Sequence, residues 1–283
     1  GKRMRPILVL MAYQLFDKNI EKAIPPALAI EIFHNFTLLH DDIMDNAPLR
    51  RGQKTVHEKW NNNVAILSGD TMLVQAYQLI SDVDNTIVKQ VLAVFSKAAI
   101  EVCEGQQWDM DFETQSDVSI TDYLKMIEYK TAVLLGAALQ IGGITAGAST
   151  KEQNHLYAFG RDLGIAFQLK DDLLDAFGNI ETFGKQVGGD IMANKKTYLY
   201  LKALSLSDKK QRADLKQYFS TNDTSQLKID SVKAIFYKLA IPELTTNLIK
   251  EYHLKAMDNL AAINSENKEP FLVFSSLLMD RVS

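Results

Sequence analysis

The sequence predicts an all-α protein, and three observations predict it. Apolar residues recur at three- and four-residue spacing almost throughout, only 6 prolines interrupt the 283 residues, and no stretch sustains the alternation of a half-buried strand. A content of 47% hydrophobic and 23% charged residues is that of a globular chain able to bury a substantial core.

The helical spacing is read in order along the chain. Ile7, Leu8, Leu10, Met11 and Leu15 set the first stripe; Phe36, Leu38 and Leu39 lead into a cluster of aspartates. Leu67, Met72, Leu73, Ala76, Leu79 and Ile80 form the next, then Val88, Val91, Leu92, Phe95 and Ala99, then Leu156, Phe159, Leu163 and Phe167. Breaks are predicted at Pro25-Pro26, Asn46-Ala47-Pro48, 61–63, 82–85, Gly178-Asn179 and 184–189, with polar loops at 205–210 and 221–226. About ten or more helices joined by short loops predict one domain over residues 1–283, built as a large helical bundle around one core.

An uncharged run between Lys130 and Lys151 has to be tested as a membrane span. Thr131, Gln140, Thr145 and the glycines at 136, 142, 143 and 147 dilute its apolarity, so it reads as a buried helix of small residues, and no stable membrane insertion is expected. The formal charge of −4 and the lack of a basic stripe argue against nucleic acid. Cys103 is the only cysteine, which excludes intramolecular disulfides and suits a reducing, cytoplasmic compartment. The basic residues 1–6 lead into no secretory signal.

The chemistry lies in two aspartate clusters, His40-Asp41-Asp42-Ile43-Met44-Asp45 and Lys170-Asp171-Asp172-Leu173-Leu174-Asp175. Each has carboxylates at i, i+1 and i+4, and on a helix positions i and i+4 lie about 40° apart, one turn up. Asp41 and Asp45 therefore point the same way, as do Asp171 and Asp175. Like charges roughly 4 Å apart repel by about 1 kcal/mol in water and by more near a protein surface. Both clusters stand just before helix-ending residues, where the macrodipole is negative and disfavours carboxylates. The arrangement calls for compensating cations, and oxygen-only ligands select a hard ion such as magnesium. Solvated acidic helix ends are the bland alternative for either cluster alone, but the apolar residues before each place both beside a core. An EF-hand loop is poorly supported, since neither cluster has its alternating acidic spacing with a mid-loop glycine and terminal glutamate.

Basic residues gather in short strings: Lys2, Arg3 and Arg5 near the N-terminus, Arg50-Arg51-Gly52, Lys130-Thr131, Lys185, and Lys195-Lys196-Thr197. Arginine forks match phosphate oxygens in a bidentate way, while lysine acts as a point charge. His34 shares a helix face with Asp41, about two turns before it.

These blocks, Gly1-Lys2-Arg3-Met4-Arg5-Pro6, the first cluster with Arg50-Arg51-Gly52, Phe167-Gln168-Leu169-Lys170 with the second cluster, and 184–190, resemble in order the signature motifs of the trans-isoprenyl diphosphate synthases, of the short-chain farnesyl/geranylgeranyl type. The resemblance spans residues 1 to about 200. It implies the isoprenoid synthase fold, a helical bundle with a central cavity, and transfer of an allylic diphosphate's prenyl group to isopentenyl diphosphate. It implies about three magnesium ions, held by Asp41, Asp45 and Asp171, with Asp175 and Asp190 helping. Arg50, Lys130, Lys185 and Lys195 would grip the allylic diphosphate; Lys2, Arg5, His34 and Arg51 would hold isopentenyl diphosphate. Thr131 and Gln168 would stand near the developing allylic cation. Phe33, Phe36 and Thr37 would floor a tunnel that limits the product to three or four isoprene units. The resemblance also implies a homodimer and a further helix or so before Gly1. Asn194 departs from it, since the family usually has glycine there. The alternatives left open are a terpene cyclase, a non-catalytic subunit of a synthase, and a helical magnesium-binding protein without turnover.

Overall fold

The computed structural model describes residues 3–178, 188–221 and 223–279. In chain order the elements are α1 Met4–Gln14, a 3-10 turn Ile20–Ala23, α2 Ile24–Met44, β1 Leu49–Arg50, β2 Gln53–Lys54, α3 Val56–Lys59, α4 Asn62–Ile80, α5 Val88–Thr114 and α6 Ile120–Ile127. A π-helical segment Glu128–Ala132 leads into α7 Val133–Thr145 and α8 Thr150–Phe177. There follow α9 Gly189–Met192, α10 Tyr198–Leu206, α11 Lys209–Tyr218, α12 Gln226–Lys238, α13 Ile241–Ala261 and α14 Glu269–Met279.

The helices start where short polar side chains take up orphan backbone N–H groups. Asn61 accepts from the Val64 N–H, Ser225 from the Lys228 N–H, and Ser119 with Asp122 and Asp208 with Gln211 form capping boxes. Two local expectations are corrected. Pro25-Pro26 does not break the chain but lies in the first turn of α2, where a missing N–H costs nothing and the fixed φ suits the helix. The chain also holds one small sheet: Leu49 pairs Lys54 and Arg50 pairs Gln53, antiparallel. Strands of two residues are too short to show alternation. The turn between them, Arg51-Gly52, has positive φ at both positions (54° and 74°), as the two-residue hairpin turn that matches strand twist requires.

The residues form two compact units: Gly1–Ile100, Val133–Gly160 and Asn259–Pro270 in the first; Glu101–Ala132, Arg161–Asp258 and Phe271–Ser283 in the second. In the first, α1 packs on α7 and α2 on α4, burying Leu8, Val9, Tyr13, Ile30, Phe33, Phe95, Leu139 and Ile141. In the second, Tyr123, Leu169, Leu199, Leu215, Val232, Phe236 and Ile241 belong to one buried cluster. The uncharged run reads correctly as a buried helix of small residues: all of α7 from Val133 to Ile144 except Gln140 is buried. Among the described residues no helix is long and apolar enough to cross a membrane.

The small residues of α7 have a specific cause. A Cβ on Gly142 would overlap the carbonyl oxygen of Val9 and crowd Ala12, so α1 lies on α7 backbone to backbone. Gly142→Ala is expected to destabilise the protein by about 1–3 kcal/mol through this overlap, despite alanine's higher helix propensity. Urea unfolding checks it, and unchanged or increased stability would refute the close approach.

Candidate active site

In the first unit, α2 ends inside the first aspartate cluster: Asp41 and Asp42 occupy its last turn and Asp45 is its C-cap residue. The carboxylates divide by environment. Asp42 is 4% exposed, whereas Asp41 is half-buried and Asp45 exposed. A buried carboxylate is costly unless fully hydrogen-bonded, and Asp42 receives a guanidinium fork: Arg50 Nε donates to Oδ1 at 2.7 Å and to Oδ2 at 2.9 Å, and its Nη2 lies 2.6 Å from Oδ1. The β1–β2 hairpin carries Arg50 back to the helix end. Its root is tied by Thr55, whose hydroxyl donates to the Ala47 carbonyl at 2.8 Å.

Midway along α2, His34 meets a cluster of positive charge. Arg5, half-buried, donates to His34 Nε2 at 3.0 Å, so the imidazole proton resides on Nδ1. Burial, followed by the positive charges of Arg5, Arg51, Arg50 and Arg3, pushes His34 down to about 3. Burial likewise lowers Arg5 to about 10, with Glu31 opposing. Arg5 Nε is buried with no hydrogen-bond partner, and Arg3 ion-pairs with Glu31. Arginines gathered round a neutral histidine, with one buried donor unsatisfied, make a site for an anion. Lys2, predicted to join them, lies outside the described residues, as does Lys185.

The predicted floor residues stand on the same helix. Phe33 and Phe36 are buried with ring centroids 5.6 Å apart, and Phe33 meets Phe95 edge-on at 5.3 Å. Thr37 spends its hydroxyl on the His34 carbonyl at 2.9 Å.

In the second unit, a cavity of about 120 Å³ is lined by Asp109, Tyr123, Lys130, Thr131, Gln168, Asp172, Asp190, Lys195, Lys196 and several apolar side chains. The second cluster repeats the division of the first. Asp172 is 5% exposed, Asp171 and Asp175 half-buried. The buried carboxylate is satisfied differently here: the Tyr123 hydroxyl donates to Oδ2, and Gln168 Nε2 donates to Oδ1 at 3.1 Å. Gln168 in turn accepts from the Thr131 hydroxyl at 3.3 Å, which fixes its amide orientation. Burial and the charge of Asp190 raise Asp172 to about 8. Asp175 is directed towards α9, where its Oδ2 accepts from the Asp190 N–H at 2.9 Å. Lys195 Nζ lies 3.9 Å from Asp190 Oδ1.

Lys130 and Thr131 owe their place to the π-helical segment, a device common at functional sites. It is held between two glycines: a Cβ on Gly105 of α5 would overlap the Lys130 backbone, and one on Gly164 of α8 would meet Ala132 at 2.7 Å. Lys130 ion-pairs with Asp109. Asp109, Tyr123 and Asp172 line this cavity although the sequence reading does not choose them, and Lys196 lines it as part of the basic string 195–197. Asp172 stood in plain view between two chosen carboxylates. Asp109 and Tyr123 carry no motif, and only the glycine at 105, inside a helix, hinted that something approaches α5 closely.

Among the described residues no three His, Cys, Asp or Glu side chains already surround one metal-sized point. The donor set nonetheless fits magnesium, which retains water and is held by one or two carboxylates together with substrate phosphates. In each cluster the i, i+4 pair is less buried than the middle carboxylate and is the more accessible source of such oxygens, alongside partners it already has, such as the Asp190 N–H on Asp175.

The His34 environment has a pH signature. Its folded pKa lies below the ordinary 6.5, so the neutral ring stabilises the fold above about pH 6.5 and that contribution is lost as pH falls towards 3. The urea midpoint of the parent is therefore expected to fall more steeply than that of His34→Gln between pH 6.5 and 4. Parallel curves would contradict a buried neutral histidine.

The polyprenyl synthetase family model matches residues 1–236. A geranylgeranyl diphosphate synthase of Methanosarcina mazei is 44% identical over 205 residues, 72% of this chain but 63% of that protein, so the match spans under two thirds of the relative's length. A crystal structure of a geranylgeranyl pyrophosphate synthase superposes with a TM-score of 0.94 at 49% identity, covering 100% of this chain and 88% of the other. A polyprenyl synthase from Caulobacter crescentus CB15, complexed with calcium and isoprenyl diphosphate, gives 0.85 at 28% identity, covering 100% and 83%. With the acidic helix ends and the arginine pocket at the motif positions, the chain belongs to the polyprenyl synthetase family.

Proposed function

We propose that the chain is a magnesium-dependent prenyltransferase that condenses isopentenyl diphosphate with an allylic diphosphate to give farnesyl or geranylgeranyl diphosphate. The observation that carries this reading is the division of labour inside each aspartate cluster. The middle carboxylate is buried and bonded to protein, and the i, i+4 pair stands more open. The geranylgeranyl synthases among the relatives support the substrate class, and the calcium and isoprenyl diphosphate in the Caulobacter crescentus polyprenyl synthase support a hard divalent ion beside a diphosphate.

In this reading Asp41 and Asp45 would hold magnesium for the allylic diphosphate, and Asp171, with Asp175 and Asp190, would hold a further ion, about three in all. When bound, magnesium neutralises the charge that develops on the departing diphosphate. Lys130, Lys195, Arg50 and Lys185 add fixed positive charge to the same leaving group, which is preorganised electrostatic stabilisation. Arg5, His34, Arg51 and Lys2 hold the diphosphate of isopentenyl diphosphate; His34 offers its Nδ1–H while staying neutral. The C–O bond to the allylic diphosphate breaks, a C–C bond to the isopentenyl double bond forms, and one proton leaves. The Gln168 carbonyl oxygen and Thr131, oriented through Asp172 and Tyr123, face the cationic carbon, and the released diphosphate accepts the proton. A terpene cyclase would not need the arginine pocket around His34. The exposed Ile66, Leu67 and Val74 of α4 and Ile100 of α5 fit a homodimer interface, and the single cysteine fits a cytoplasmic setting.

Asp41→Ala and Asp171→Ala should each lower turnover by on the order of a hundredfold or more with the fold intact. Incorporation of labelled isopentenyl diphosphate, with circular dichroism alongside, measures this; near-parental rates in either variant would remove the metal roles. Phe36→Ala should lengthen the product by opening the space below Asp41. Chromatography of the dephosphorylated products decides, and an unaltered chain-length distribution would reject the floor.

A further inference from the structure

Asn194 has its backbone in the left-handed region, φ 57°, a conformation that glycine adopts freely and other residues rarely. Its side chain is engaged at both ends. Oδ1 accepts a 2.6 Å hydrogen bond from Lys228 Nζ, and Nδ2 donates to the Thr221 carbonyl at 2.9 Å. Lys228, on α12, is a fully buried lysine at 0% exposure. It also donates a longer hydrogen bond, 3.4 Å, to the same Thr221 carbonyl. Enclosing an ammonium is costly unless its protons are accepted, so this arrangement needs a purpose in the fold.

Its neighbours indicate one. The four-residue helix α9 is braced by α12 on both sides of its length: a Cβ on Gly188 would meet Ile229 at 2.9 Å, and Asn194 meets Lys228. From α8, the Asp175 carbonyl accepts from the Gly188 N–H at 2.6 Å and its carboxylate from the Asp190 N–H at 2.9 Å. The Lys195 N–H then donates to the Asp190 carbonyl at 2.9 Å. Asp190, Lys195, Lys196 and Thr197 all line the cavity. α9 alone is too short to hold this edge by its own hydrogen bonds.

We propose that Lys228 and Asn194 form a buried pin that positions Lys195 for the allylic diphosphate, making both positioning residues for prenyl transfer. The inference rests on the activity proposed above. Neither residue touches the cavity; both act through the turn that carries Lys195.

Asn194→Gly removes the pin and keeps the turn, because glycine accepts the positive φ. Lys228→Met keeps the apolar stem and removes the ammonium. In the full chain, each variant is expected to raise KM for geranyl diphosphate about five- to tenfold with KM for isopentenyl diphosphate and cooperative unfolding unchanged. The double variant should be no worse than either single one, and the effect of Asn194→Gly should fall below about twofold in a Lys195→Ala background. Equal rises in both KM values, or an undiminished effect without the Lys195 side chain, would overturn the pin. If the parent transfers no isopentenyl units, the activity reading falls by itself. Calorimetric binding of magnesium pyrophosphate then decides the pin, which requires Asn194→Gly to weaken binding only while Lys195 is present.

Discussion

A carboxyl group taken out of water must be met by hydrogen-bond partners, and each aspartate cluster of this chain takes one out. Asp42 is met by the fork of Arg50, and Asp172 by Tyr123 and Gln168. These two solutions set much of the local architecture. The first requires a hairpin to turn the chain back over the end of α2, with two positive φ values at its tip. The second requires α6 to present a tyrosine to α8.

The cationic side of the chemistry is built by close approach of backbones. Gly105 and Gly164 admit the π-helical segment that carries Lys130 and Thr131, and Gly142 admits α1 against α7, the helix whose start bears Arg5. A methyl group at any of these positions would displace a charged or polar side chain from where it stands. Arg5 and His34 show the same economy of space: the ring is held neutral by burial among arginines, and the unsatisfied Arg5 Nε marks where an anion is wanted.

Membership of the polyprenyl synthetase family and the fold agree with one another, and both agree with the proposed chemistry. Ionising an allylic diphosphate needs fixed positive charge around a leaving group and an apolar enclosure for the cation. The second unit supplies Lys130 and Lys195 at a cavity that also has apolar walls, and the first packs Phe33 and Phe36 beneath its own carboxylates.

How much of this was legible in the chain varies with the range of the interaction. The all-α class, the break at 46–48, the cap at Asn61 and the buried nature of the run from Val133 to Ile144 follow from periodicity and capping residues, which act within a few positions. Pro25-Pro26 was misread because proline punctuates a helix only away from its first turn. The hairpin at 49–54 was invisible because two residues cannot display a period. Asp109 meeting Lys130, Tyr123 meeting Asp172 and Lys228 meeting Asn194 join residues from 21 to 49 positions apart. The sequence by itself determined which side chains carry charge and which local direction each takes. Only the tertiary structure decided which carboxylate is buried and which lysine is pinned, because those outcomes depend on what the rest of the chain packs against them.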